Sequence, residues 1–125
     1  MVNTPSKTDS TSLLDSIIEG IQDVKGLDVV VIDLRDLLNT AADYFVICHG
    51  SSSTHVQAIG RSIEHTTREQ LDERPWHSEG INNATWLLQD YSDVVVHVFQ
   101  QETREFYQLE DLWADAKIKM IENVA

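Results

Sequence analysis

Gly50-Ser51 follows the apolar run Tyr44 to Cys48 and precedes a helical pattern, a place where backbone N–H groups can cradle a phosphate. A nucleotidyltransferase built on that turn must also hold magnesium, which takes two closely placed carboxylates aimed at one metal-bridged phosphate. The last apolar run opens Asp93-Val94-Val95 with a single acid, and Asp28 and Asp33 stand at opposite ends of theirs. The metal clamp is missing, so no transfer chemistry is expected. His49, His55, His65, His77 and His97 include no pair at the helical spacing that aims two rings at one ion, which argues against a structural metal. Gly50-Ser51-Ser52-Ser53 is not the G-x-S-x-G elbow of a serine hydrolase, and His55 is expected to stabilise the start of its own helix. The lone Cys48 between Ile47 and His49 reads as a packed thiol. No catalytic residue, metal or cofactor is expected.

The elements around these residues follow from apolar spacing. Residues 1–11 are rich in Ser, Thr and Asn and are expected to form a mobile leader, with one domain over 12–125. Ser12 with Asp15 resembles a helix cap, and Leu13, Ile17 and Ile21 keep one face to about Lys25, where Gly26 would stop the helix. Asp28 to Leu34 and Tyr44 to Cys48 read as strands, the first buried on both faces. Val56, Ile59, Ile63, Thr67 and Leu71 predict a long helix capped among Ser51 to Ser53 and closed by Pro75. After a short extended piece at Trp76 to Glu79, Ala84 to Leu88 and Asp93 to Phe99 predict a hairpin. Phe106, Leu109, Trp113, Ala116 and Met120 predict a final helix capped by Thr103. The fold class expected is α/β, a single domain with a mixed β-sheet flanked by helices.

Charge narrows the partners. The 125 residues carry 21 acids against 9 Lys and Arg, a formal net charge of -12. Nucleic-acid binding draws its energy from basic side chains on phosphates, and no basic cluster exceeds the spaced Lys117 and Lys119. A basic protein surface suits this charge, although acidity alone also serves solubility. Apolar runs of about five residues fall far short of the roughly 18 to 20 that cross a bilayer, and the polar N-terminus lacks a secretory pattern, so a cytoplasmic location is expected.

Two stretches are specific enough to point to a known family. The first runs Asp43-Tyr44-Phe45-Val46-Ile47-Cys48-His49-Gly50-Ser51 into the helix start at Val56 to Ile59. The second, more specific, runs Trp86-Leu87-Leu88-Gln89-Asp90-Tyr91-Ser92-Asp93 through Phe99 and on from Arg104 to Ala116, with Glu79-Gly80 upstream. Together they resemble the Iojap/RsfS family of ribosomal silencing factors, which usually has Gly where Ser92 stands and commonly a basic residue where Thr54 stands. The resemblance implies a nucleotidyltransferase-like fold without catalytic residues. It implies docking on the large ribosomal subunit through its universal ribosomal protein fourteen. The small subunit would be blocked sterically and translation would fall when nutrients are short. It further suggests a homodimer when free. An acidic module for another basic protein is the alternative, and an active nucleotidyltransferase a weaker one.

The binding face expected from the residues lies in and around Trp86 to Trp113. Trp86, Tyr91 and Tyr107 offer area with a polar tip, and Asp90, Asp93 and Glu110 can meet Lys or Arg. Glu79 belongs to the same region. Phe106 and Trp113 are included, although their spacing also suits packing on the sheet.

Overall fold

The computed structural model describes residues 9–37, 40–113 and 115–124. In chain order the elements are α1 (Ser10–Asp23), β1 (Leu27–Asp33), β2 (Tyr44–Gly50), α2 (Ser53–Leu71), β3 (His77–Glu79), β4 (Trp86–Asp90), β5 (Val94–Gln100), α3 (Gln101–Tyr107), a 3-10 segment Leu109–Trp113, and β6 (Lys117–Ile121). Six strands form one sheet in the order β3-β4-β5-β2-β1-β6. Only β2 and β5 pair in parallel among these neighbours, so the sheet is mixed.

Strand alternation gives the sheet two unlike faces. Val29, Val31, Val46, Cys48, Val94, Val96 and Val98 point toward α1 and α2 and form the main core with Leu13, Ile17, Ile21, Val56, Ile59 and Ile63. Burying each such side chain contributes about 1.5–3 kcal/mol before chain entropy is counted. The two helices cross closely because Gly20 carries no side chain: a Cβ there would stand 2.8 Å from the Ile63 Cα. The Ser62 hydroxyl bonds the Gly20 carbonyl at 2.6 Å across the same crossing.

The opposite face carries a smaller apolar cluster of Val30, Ile32, Leu34, Ala42, Ile47 and Phe99. Leu109 and Trp113 of the 3-10 segment pack on part of it. The short helix α3 covers a further part through Arg104 and Tyr107, and beside it the aromatic side chains gather.

Most expected elements are present, with corrections at their ends. The helix α1 begins at Ser10 and its cap position is Asp9, which makes no side-chain cap bond, so Ser12 lies inside the first turn. Lys25, not Gly26, takes the left-handed conformation, with φ 59°. Gly26 is needed for space, since a Cβ there would run into the Ile21 side chain. The strand β4 starts at Trp86, two residues later than expected, and the hairpin register sets Trp86 against Phe99 and Asp90 against Val95.

The expected final helix is the main correction. It stops at Gln108, where φ is 47°, and the chain then turns through the 3-10 segment into β6. There it pairs antiparallel with β1, so β1 is an interior strand. Met120 is consequently 80% exposed on an edge strand rather than buried on a helix. The expected leader lies outside the described residues over 1–8, and residues 10–11 belong to α1.

Candidate docking face

The glycine turn is already satisfied from within. The Ser51 N–H donates to His55 Nδ1 at 2.9 Å, and the His55 Nε2–H donates to the Val24 carbonyl at 2.8 Å. The Ser52 hydroxyl accepts from the His55 N–H, capping α2. Two of the donors at that turn, the Ser51 and His55 N–H groups, are therefore engaged, and His55 stabilises its helix start as its position suggested. Among the described residues no three His, Cys, Asp or Glu side chains converge to hold a metal ion. The Cys48 thiol is buried in the core, and burial pushes it up to about 12.

What stands open is the second face of the sheet. The hairpin alternation turns Trp86 onto that face, with its ring centroid 4.8 Å from Phe99 below and 4.9 Å from Tyr107 of α3 alongside. The Trp86 Nε1–H donates to His97 Nδ1 at 3.1 Å. His97 sits under the aromatic group, edge-on to Phe45 at 5.1 Å, and burial lowers it to about 4, so the ring is neutral near pH 7. Phe106 is 80% exposed and meets Tyr107 edge-on, while Tyr107 is half exposed. Beside Trp86 a groove of about 330 Å³ runs between Thr85, Glu102, Phe106 and Tyr107. A second cleft of about 410 Å³ lies between Trp76 and Trp113, floored by Phe45 and Val95 and rimmed by Asp90. Trp76, 72% exposed, was not among the residues expected there.

The nine expected binding residues divide. Trp86, Phe106 and Tyr107 share one aromatic ridge in which Phe106 and Tyr107 are exposed and Trp86 is half-buried, and Glu79 lines a small cleft with Trp86 while bonding His77 at 2.6 Å. Asp90 accepts the Ser92 N–H and remains on the rim of the larger cleft. Asp93 is half-buried, and its carbonyl accepts from the N–H groups of Asp43 and Tyr44. Trp113 is half-buried against Phe45, 5.5 Å away, as a cover on the sheet.

Two of the nine turn inward. Tyr91 faces α2, is buried, and bonds Thr67 through its hydroxyl at 3.1 Å. It is a core residue because the turn that follows β4 continues that strand's alternation and sends it to the helical side. Glu110 accepts two bonds from Arg104, at 2.9 and 3.1 Å, so its carboxylate is engaged inside the chain rather than held out to a partner. Arg104 is itself buried and also donates to the Asp28 carbonyl at 2.7 Å and to His49 Nδ1 at 3.0 Å. This clasp ties α3 and the 3-10 segment to β1 and β2, and it beds the aromatic ridge on the sheet. Arg104 and His97 were missed as site residues. For His97 a signal existed, a lone polar side chain inside the run Val94 to Phe99; for Arg104 the partners lie too far along the chain to be paired by spacing.

Over residues 7–125 the sequence matches the model of a family described as ribosomal silencing factor during starvation. It is 40% identical over 110 residues to a ribosomal silencing factor RsfS of Bacillus subtilis, covering 86% of this chain and 89% of that protein. A more distant relative, the mitochondrial assembly of ribosomal large subunit protein 1 of Mus musculus, is 29% identical over 102 residues, covering 80% of this chain and 44% of that one. Among solved structures, a Chromobacterium violaceum protein superimposes with a TM-score of 0.80 at 29% identity, over 86% of this chain and 88% of the other.

Proposed function

We propose that this chain, which belongs to the ribosomal silencing factor family, represses translation by occupying the large ribosomal subunit and keeping the small one off. The observation that carries the reading is the family match over nearly the whole chain, joined to an aromatic ridge left open on the sheet. In this reading the second sheet face docks on the universal ribosomal protein fourteen, Trp86 and Tyr107 supply the central contact, and Phe106 and Glu79 flank it. The name of the mouse relative, which speaks of large-subunit assembly, supports that subunit as the partner. A net charge of -12 suits a ribosomal protein that must be basic to lie among RNA phosphates. The mechanism is occlusion, so it needs neither cofactor nor catalysis, and it operates in the cytoplasm during nutrient limitation. Free in solution the chain pairs as a symmetric homodimer, which native mass spectrometry tests.

Sedimentation with purified subunits tests the docking. The chain is expected to travel with the large subunit and not the small one. Truncating a buried interface ring commonly costs about 2 kcal/mol or more, so Trp86→Ala and Tyr107→Ala should each weaken binding at least tenfold while remaining folded. Binding of both variants at the parent's strength would move the docking face elsewhere; binding to neither subunit would favour another basic protein as partner.

A further inference from the structure

His97 is 6% exposed, and its ring lies among Phe45, Trp86 and Phe99. An indole nitrogen only donates, so the Trp86 contact at 3.1 Å requires His97 Nδ1 to be the acceptor and places the imidazole proton on Nε2. That Nε2–H is buried and has no hydrogen-bond partner among the described residues. A buried donor left unpaired is destabilising, and a phenyl ring would fill the same aromatic setting without it. Packing alone therefore disfavours histidine here. What the imidazole supplies and a phenyl ring cannot is an acceptor facing the indole.

The consequence falls on Trp86. Tilted ring contacts with Phe99 and Tyr107, at 39° and 50°, confine the indole, yet Tyr107 is half exposed and such contacts by themselves allow a ring to slide and turn. A hydrogen bond at one atom removes that freedom. It also satisfies the one polar atom of the side chain from beneath, so a partner meets ring carbon only and no N–H has to be stripped of water unpaired.

We propose that His97 is a positioning residue for docking: its Nδ1 holds the Trp86 indole in the orientation in which that ring meets the partner. This rests on the docking reading above. His97 touches no partner and acts through Trp86, so its replacement should separate stability from affinity, which a residue that merely fills space would change together.

The experiment compares the parent with His97→Phe, His97→Asn, His97→Gln and Trp86→Ala in large-subunit binding and urea unfolding. Nitrogen-15 indole spectra of the free proteins, with Trp86 assigned by its substitution, report the bond itself. Asparagine places an amide near the Nδ1 position, whereas glutamine reaches toward Nε2. The Trp86 indole proton should exchange slowly in the parent and in His97→Asn, and fast in His97→Phe and His97→Gln. His97→Phe should be at least as stable as the parent yet bind about fivefold more weakly, the worth of one hydrogen bond. His97→Asn should be less stable yet bind within about twofold of the parent. Parent-like binding by His97→Phe alongside weak binding by Trp86→Ala overturns the positioning role and leaves docking intact. Parent-like binding by Trp86→Ala overturns the positioning role, and the docking face moves with it if Tyr107→Ala also binds like the parent. Should the phenylalanine variant fail to fold, equal binding by the asparagine and glutamine variants overturns the proposal.

Discussion

Replacing Arg104 with methionine keeps an unbranched apolar stem and removes every bond of the clasp. Glu110 loses both bonds from Arg104, the Asp28 carbonyl loses its donor at 2.7 Å, and His49 Nδ1 loses its donor at 3.0 Å. Breaking a buried ion pair on one side typically costs about 3–5 kcal/mol, because the remaining charge is stranded. The Glu110 side chain is 26% exposed, so water recovers part of its carboxylate, and the lower end of that range applies. With a urea slope of about 1.5 kcal/mol per molar, a loss of about 3 kcal/mol lowers the unfolding midpoint by roughly 2 M. Equilibrium urea unfolding followed by circular dichroism measures it. Glu110→Gln should lose less, since Arg104 keeps its bonds to Asp28 and His49. A midpoint shift under about 0.5 M for Arg104→Met would refute the idea that the clasp beds α3 on the sheet.

Three further outcomes follow from particular side chains. Burial lowers His97 from 6.5 to about 4 and lowers His49 as well, so the unfolded chain takes up protons first as pH falls. Stability is therefore full above pH 6.5 and declines through the window down to pH 4, by about 3 kcal/mol for His97 alone, and His97→Phe should flatten that slope in urea titrations at several pH values. Ser92 holds φ at 76°, a conformation glycine adopts freely, so Ser92→Gly should raise stability by about 0.5–1 kcal/mol; a loss would mean that its side chain makes a compensating contact. The Cys48 thiol, buried and pushed up to about 12, should resist disulfide reagents in the native protein and react on denaturation.

The sheet and the long helix were legible because their signals are local. Val29 to Ile32 and Val94 to Phe99 are rich in β-branched residues, and Val56, Ile59 and Ile63 repeat at helical steps behind a serine cap. The C-terminal third misled for a physical reason. Phe106, Leu109, Trp113, Ala116 and Met120 fit a helical face, but Lys117-Ile118-Lys119-Met120 also alternates strictly, and the free edge of β1 decides for the strand. Of the site, the aromatic content of the Trp86 to Tyr107 stretch could be read directly. The inward turns of Tyr91 and Glu110 could not, because they depend on strand register and on a buried arginine whose contacts span up to 77 residues.

The central claim is that occupancy of the large subunit prevents joining, and light scattering of mixed subunits tests it most directly. Large subunits saturated with the chain before the small subunit is added should show a depressed joining signal, and addition after joining should do less. Normal joining on large subunits shown by sedimentation to carry the chain would contradict the account.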